Sequence, residues 1–429
     1  MQNYAVRPVK GIRGEIAVPG DKSISHRSIM LGSISRGETT VRGFLRGEDN
    51  IATLNAFRAM GVAIDDDGET LRIAGKGLRG LSEPTDVIDC GNSGTSMRLL
   101  TGLLAPQQFY SVLSGDQYLR RRPMRRVLGP LAQMGACLYG REGGEKAPLA
   151  IIGRDLTGIS YASPVASAQV KSALMLAGLY AEGETRISEP HLSRDHSERM
   201  FRHFGADIET GHGGVVVRSG RELEGRDIVV PGDISSAAFF MVAALIVPGS
   251  ELLIRGVGVN PTRTGIIDIL TAMGGSIELL DQREVSGEPV ADILVRSSRL
   301  KGIEIAGEVV TRAIDEFPVI CVAAANAEGR TVVREARELR VKETDRIAAM
   351  ATNLRAVGVS VTETEDGMDI DGVERVAAGA VESFGDHRIA MSMLVAGLSA
   401  AGEIAVSDTE CVATSFPTFF SILETVAVR

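Results

Sequence analysis

The segment Pro19-Gly20-Asp21-Lys22-Ser23-Ile24-Ser25-His26-Arg27 sets an ammonium, two hydroxyls and a guanidinium beside the start of a helix. Pro19-Gly20 turns the chain, Asp21 or Ser23 caps, and Ile24, Met30, Leu31 and Ile34 supply an apolar helical face. Ser23 and Arg27 share one side of that helix, whose first N–H groups lack intrahelical acceptors and favour phosphate. This is chemistry for holding a phosphorylated anion.

Related segments follow. Asp89-Cys90-Gly91-Asn92-Ser93-Gly94-Thr95-Ser96-Met97-Arg98 is a small-residue turn opening onto a helix expected over 97–104, and its glycines allow close backbone approach to an anion. Arg120, Arg121, Arg122, Arg125 and Arg126 crowd a loop-to-helix boundary set by Pro123, and guanidinium forks grip phosphate and carboxylate bidentately. Ser167-Ala168-Gln169 and Ser193-Arg194-Asp195-His196 add polar ligands for a hydroxylated anion. In the second half, Asp315-Glu316 stands before an apolar helix, Arg340 to Arg346 alternates charge along an expected helical segment with Lys342 and Arg346 at i,i+4, and Asp386-His387-Arg388 opens another helix. Each segment alone also fits an ordinary capped helix or a solvated, ion-paired face.

Several classes are excluded by what is missing. Neither G-x-x-x-x-G-K-[ST] nor G-x-G-x-x-G occurs at these turns, which removes the sequence basis for ATP-driven phosphoryl transfer. The six histidines form no H-E-x-x-H, and His191 with His196 reads as a surface pair rather than a metal site. Cys90, Cys137, Cys321 and Cys411 lie far apart, indicating neither a disulfide framework nor structural zinc and suiting a reducing cytoplasm. A net charge of -9 and an aromatic content of 4% argue against a nucleic-acid surface, and the longest apolar run, 237–247, is too short to span a bilayer.

The elements that position these residues recur along the 429-residue chain. Small-residue-rich apolar helices lead into Gly-containing turns and β-branched runs. Helix ends reading apolar-Gly-small-x-apolar occur at Gly61, Gly135, Gly205, Gly274 and Gly358, where the glycine suits the C′ position. The result is a βαβαββ unit of about 70 residues, repeated six times. Val18-Pro19-Gly20-Asp21 is echoed by Val230-Pro231-Gly232-Asp233, so the crossovers divide the chain into a first domain, 20–232, and a second, 233–429 with 1–19 completing its sheet.

The ordered set DKSISHR, GNSGTSMR, RRPM, SAQVKSA, SRDH, IDEFP, VKETDR and GDHR resembles the 5-enolpyruvylshikimate-3-phosphate (EPSP) synthases of the enolpyruvyl transferase family, from Pro19 to Pro417. The resemblance implies a two-domain inside-out α/β barrel of six βαβαββ repeats with the active site in the cleft between the domains. It also implies transfer of the enolpyruvyl group of phosphoenolpyruvate to the 5-hydroxyl of shikimate 3-phosphate. Lys22, Ser23, Arg27, Ser167, Ala168, Gln169, Arg194, Asp315 and Lys342 would hold shikimate 3-phosphate. Lys22, Gly94, Arg122, Gln169, Arg346 and Arg388 would hold phosphoenolpyruvate. Asp315 would accept the hydroxyl proton, and Glu343 would protonate the methylene carbon with Lys22 assisting. No metal or other cofactor and no macromolecular partner is implied, and a cytoplasmic monomer is expected. Ala168 stands where the best-known members have a second serine, Arg194 replaces a tyrosine-containing segment, and Thr414 stands where lysine is common. The competing readings are UDP-N-acetylglucosamine enolpyruvyl transferase, whose functional loop usually carries a cysteine absent here, and a catalytically silent anion binder on the same fold.

Overall fold

The computed structural model describes residues 3–211 and 214–429. Its contacts divide the chain into two compact units, Gly20–Val230 with Val285–Glu288, and the stretch up to Pro19 with Pro231–Glu284 and Pro289–Arg429.

The repeat is easiest to see at its second copy. Strand Ile88–Asp89 leads through a buried helix, Gly94–Leu104, to strand Tyr110–Ser114, which lies parallel to it with Ile88 opposite Leu113. An outer helix, Arg125–Gln133, then leads to the hairpin Cys137–Gly140 and Lys146–Ile152, which adds antiparallel to the same sheet. This order is βαβαββ, and it recurs over Ser160–Ala162, Ala168–Gly178, Glu184–Ser188, His196–His203, Asp207–Gly211 and Gly214–Arg218. In the second unit it recurs from Glu304–Ile305 to Met368–Asp371. Among the described residues each unit holds three such sheets.

The first and fourth repeats exchange their leading strands. Gly11–Ala17, which runs into the first buried helix, pairs parallel with Glu251–Gly258 in the second unit. Asp227–Val229, which runs into the fourth, pairs parallel with Arg36–Arg42 in the first. The last repeat takes its antiparallel strand from Tyr4–Val6, which pairs with Ile404–Ser407. The break between units falls two residues before the expected position. Pro231 and Gly232 belong with the second unit, where Gly232 exchanges backbone hydrogen bonds with Gly256 and Gly258.

Six helices form the cores: Lys22–Ile34, Gly94–Leu104 and Ala168–Gly178 in one unit, and Ile234–Ile246, Phe317–Ala325 and His387–Gly397 in the other. Full burial of a Leu, Ile or Met side chain contributes roughly 1.5–3 kcal/mol, and Met30, Leu31 and Ile34 are all fully buried in the first helix. That helix is not one-faced as its sequence suggests. Every residue from Ile24 to Ile34 is buried, and two of its serines are hydrogen-bonded: Ser28 donates to the Ser25 carbonyl at 2.8 Å, and the Ser25 hydroxyl accepts the Leu45 N–H at 3.1 Å. The five helix-end glycines take φ between +82° and +95°, the left-handed conformation that removes the helix from its axis and starts the next strand. No helix among the described residues is long and apolar enough to cross a membrane.

Small residues let the core helices approach closely. A Cβ on Gly102 would stand 2.1 Å from the carbonyl oxygen of Ala173 on the neighbouring core helix. Gly102→Ala is therefore expected to destabilise the protein by about 2–3 kcal/mol. Urea unfolding followed by circular dichroism checks this, and an unchanged midpoint would contradict the close packing.

Candidate active site

In the first unit, three core helices present capped N-termini with polar side chains around them. Asp21 caps the first, its Oδ1 accepting the Ile24 N–H at 2.8 Å. Lys22 then pairs with the buried Asp49, while Asn50 donates to the Lys22 carbonyl at 3.1 Å, so the ammonium is tied to the outer helix Glu48–Ala59. One turn on, Arg27 donates through Nε to Ser197 Oγ at 2.6 Å, through Nη2 to Ser172 Oγ at 2.7 Å and through Nη1 to the Ser23 carbonyl at 3.0 Å. Burial pulls this guanidinium down to about 10 against the upward influence of Glu198, and nearby Arg194 adds to the depression; it stays charged at neutral pH.

The second N-terminus is that of Gly94–Leu104, capped by Ser93, whose Oγ accepts the Ser96 N–H at 3.0 Å. A Cβ on Gly94 would lie 3.1 Å from Nη1 of both Arg122 and Arg98, so two guanidiniums stand over this turn. Arg122 donates to Asn92 Oδ1. Arg98 donates to Gln169 Oε1 at 2.5 Å and to the Pro123 carbonyl at 3.2 Å, and Gln169 Nε2 in turn donates to Thr95 Oγ1 at 3.0 Å. Gln169 sits in the first turn of the third helix, Ala168–Gly178, which Ser167 caps and Ala168 begins. Of the arginine-rich run only Arg122 is buried; Arg125 turns away to pair with Glu145.

A chain of buried polar groups joins the first two N-termini. His26 Nδ1 lies 2.8 Å from Thr53 Oγ1, Thr53 Oγ1 2.6 Å from Ser96 Oγ, and Ser96 Oγ 2.7 Å from Ser93 Oγ. Desolvation, with Lys22 and Arg27 close by, holds His26 well below the usual imidazole range and therefore neutral.

The second unit centres on Asp315. Its Oδ1 lies 3.5 Å from Lys342 Nζ and 3.4 Å from Arg346 Nη1, and Oδ2 lies 3.9 Å from Arg388 Nη2. Arg388 also donates to the Asp315 carbonyl at 3.1 Å. Arg346, 2% exposed, is gripped by Asp386 at 2.8 Å and Glu343 at 2.7 Å. Desolvation alone would lower its pKa, but Asp386, Glu343 and Asp315 together raise it. Lys342 and Arg346 do not share a helix as their spacing suggests. A 3-10 turn ends at Val341, Asp345 caps by accepting the Ala348 N–H at 3.0 Å, and the helix begins at Arg346.

Geometry thus gathers Lys22, Ser23, Arg27, Gly94, Arg122, Ser167, Ala168, Gln169 and Arg194 around adjoining helix starts in one unit. It gathers Asp315, Lys342, Glu343, Arg346 and Arg388 in the other. Guanidinium and ammonium groups beside helix starts suit phosphate and carboxylate groups. The model of the family described as EPSP synthase (3-phosphoshikimate 1-carboxyvinyltransferase) matches residues 6–423. The chain belongs to the EPSP synthase family.

Among EPSP synthases and their relatives, the chain is 89% identical to the 3-phosphoshikimate 1-carboxyvinyltransferase of Geobacter metallireducens and 78% identical to that of Geobacter sulfurreducens, in both cases over 100% of each chain. A solved EPSP synthase from Acinetobacter baumannii superposes with a TM-score of 0.90 at 49% identity, covering 100% of this chain and 99% of that one. The enolpyruvyl transferase NikO from Streptomyces tendae, 18% identical, shares the fold with a TM-score of 0.79 over 98% of this chain and 96% of that one. The inside-out α/β architecture of six βαβαββ repeats is thereby the fold of this EPSP synthase family member.

Sequence reasoning left out several residues that hold the family set in place. Arg98 follows Gly94 by one helical turn, a spacing that was available as a signal. Asp49 and Arg263 carry no such signal, because their importance comes from partners distant in the chain; Arg263 donates to Ser235 Oγ at 2.6 Å and stands 3.6 Å from Glu316. His196 is no surface residue. It is buried against Glu288 at 2.8 Å, since its strand-following loop dives inward at Ser193. Among the described residues no group of three or more His, Cys, Asp or Glu could hold a metal ion.

Asp386 pairs with Arg346 and caps the helix His387–Gly397 by accepting the Arg388 N–H at 2.8 Å. Asp386→Ala leaves a buried guanidinium short of its one fully buried carboxylate, for an expected loss of about 3–5 kcal/mol. Chemical denaturation measures it; a loss below about 1 kcal/mol, the range of an exposed pair, would contradict this account.

Proposed function

We propose that the two polar clusters divide the EPSP synthase reaction between them. Lys22, Ser23, Arg27, Ser167, Ala168, Gln169 and Arg194, with Asp315 and Lys342, hold shikimate 3-phosphate. Lys22, Gly94, Arg122, Gln169, Arg346 and Arg388 hold phosphoenolpyruvate. The observation that carries this reading is the environment of Asp315: one carboxylate, its side chain 15% exposed, facing Lys342, Arg346 and Arg388 within 3.4–3.9 Å. Three cations facing one carboxylate hold it in place to accept a hydroxyl proton.

The bond changes follow from that charge pattern. The 5-hydroxyl of shikimate 3-phosphate gives its proton to Asp315 while its oxygen bonds to C2 of phosphoenolpyruvate. Glu343 supplies a proton to the methylene carbon, and Lys22 assists proton traffic at the oxygen. The resulting tetrahedral phosphate ketal returns a proton from the new methyl group to Glu343 as the C–O bond to phosphate breaks, which forms the enol ether and releases phosphate. Arg122, Arg346 and Arg388 stabilise the negative charge that collects on the departing phosphate. Arg346 is preorganised for this by Asp386 and Glu343 rather than by the ligand.

Phosphate release from shikimate 3-phosphate plus phosphoenolpyruvate tests the reading, with UDP-N-acetylglucosamine as the competing acceptor. Asp315→Asn is expected to lower kcat by about a hundredfold or more, whereas Arg122→Ala is expected to raise KM for phosphoenolpyruvate about tenfold and leave that for shikimate 3-phosphate unchanged. Equal effects on both substrates in the Arg122 variant would sink the assignment.

Gly94→Ala offers a subtler check, since the added methyl reaches 3.1 Å from Arg122 and Arg98 without meeting backbone. The two guanidiniums must give way by a few tenths of an ångström. KM for phosphoenolpyruvate is expected to rise several-fold with thermal stability retained, as the steric demand falls on side-chain ends.

A further inference from the structure

Behind the shikimate 3-phosphate residues lies a buried ionic group that the reaction does not use. Lys171, Glu189 and Glu198 have side chains only 3%, 6% and 7% exposed. The Lys171 ammonium lies 3.0 Å from Glu189 Oε2 and 2.8 Å from Glu198 Oε1, and donates to the Ser193 carbonyl at 3.3 Å. Burial draws the Lys171 pKa down, but Glu198 and Glu189 outweigh it and leave the ammonium firmly charged. Apolar side chains of similar volume would pack this space at no loss of stability, so the charges need another reason.

That reason is where the hydrogen bonds go. Glu189 Oε1 accepts the Ser167 N–H at 2.7 Å and the Ser193 hydroxyl at 2.9 Å, and its Oε2 lies 2.7 Å from the same hydroxyl and 3.4 Å from the Ser193 N–H. One carboxylate therefore fixes both the cap of the helix Ala168–Gly178 and the residue before Arg194. Between Glu189 and Asp195 the loop has no apolar anchor: Pro190, His191 and Leu192 are exposed, and Ser193 alone is buried. Glu198 extends the reach of Lys171 to the next element, because neighbouring Ser197 accepts the Arg27 Nε–H at 2.6 Å.

We propose that Glu189, neutralised by Lys171, is a positioning residue that sets the spacing of Ser167, Arg194 and Arg27 for shikimate 3-phosphate. The inference rests on the assignment of those three residues to that ligand. Glu189 touches no substrate; it acts through the backbone of Ser167 and the loop at Ser193. Its carboxylate offers two acceptor oxygens where an amide offers one, and an amide NH2 would face the Lys171 ammonium.

The test combines calorimetric titration of shikimate 3-phosphate with steady-state kinetics on Glu189→Gln, Ser193→Ala, Arg27→Ala and Arg194→Ala. Glu189→Gln is expected to weaken shikimate 3-phosphate about tenfold and Ser193→Ala about threefold, with kcat and KM for phosphoenolpyruvate at saturating shikimate 3-phosphate held within about twofold. Should Glu189→Gln not fold, Ser193→Ala, which keeps the ion pairs, decides the matter. Unchanged affinity in the clamp variants while Arg194→Ala and Arg27→Ala weaken binding would overturn the positioning role. So would an equal rise in both KM values, which marks a general structural defect. No effect from Arg194→Ala and Arg27→Ala would instead overturn the ligand assignment on which the inference stands.

Discussion

Collecting positive charge at helix N-termini is electrostatically expensive, and both units depend on how that cost is met. A helix start already carries about half a positive charge, and here Lys22, Arg346 and Arg388 lie in first turns. Carboxylates at the caps offset part of this: Asp21, Asp345 and Asp386 each accept a backbone N–H and bring a negative charge to the same end. Asp49, Glu343 and Asp315 offset more by pairing directly with the cations. Arg27 shows the balance, with Glu198 opposing the effect of its burial while Arg194 stands close by. The fold therefore supplies binding energy by keeping the protein partners of its cations in place before any ligand arrives.

Core packing serves the same end. Because the six inner helices are buried on every side, their N-termini have little freedom to tilt, and the groups they carry are located by the whole core rather than by loops. Gly102 against Ala173 shows how tight this is, with backbone meeting backbone where a methyl group would not fit. Exposure separates the members of the second cluster: Arg346 is sealed behind its carboxylates, while Asp315 and Glu343 keep part of their surface open.

Local chemistry was legible in the sequence wherever one turn of chain decides the outcome. The helix-end glycines at 61, 135, 205, 274 and 358 all adopt the left-handed conformation their pattern implies, and Asp21 caps as expected, whereas the helix expected over 97–104 begins earlier, at Gly94, because Ser93 caps it. The repeat order was legible for the same reason, since strand and helix periods alternate in a fixed cycle. Where partners are far apart in sequence the reading failed. Lys171 reaches Glu189 and the Ser193 carbonyl from the preceding helix, the His196–Glu288 pair spans 92 residues, and the first helix gave a one-faced pattern although tertiary contacts bury it all round. The run from Arg340 to Arg346 misled through its regular charge spacing, because the cap at Asp345 overrides helical continuity.

The exchanged leading strands impose an order on synthesis. Gly11–Ala17 leaves the ribosome among the first residues, yet its parallel neighbour Glu251–Gly258 is made only after more than half the chain has emerged. The strand Arg36–Arg42 likewise waits for Asp227–Val229 to cover its parallel side. Until then the nascent chain carries open strand edges. A fragment beginning at Pro231 would lack both Gly11–Ala17 and Tyr4–Val6, so cutting the gene at the crossover leaves Glu251–Gly258 and Ile404–Ser407 with open edges.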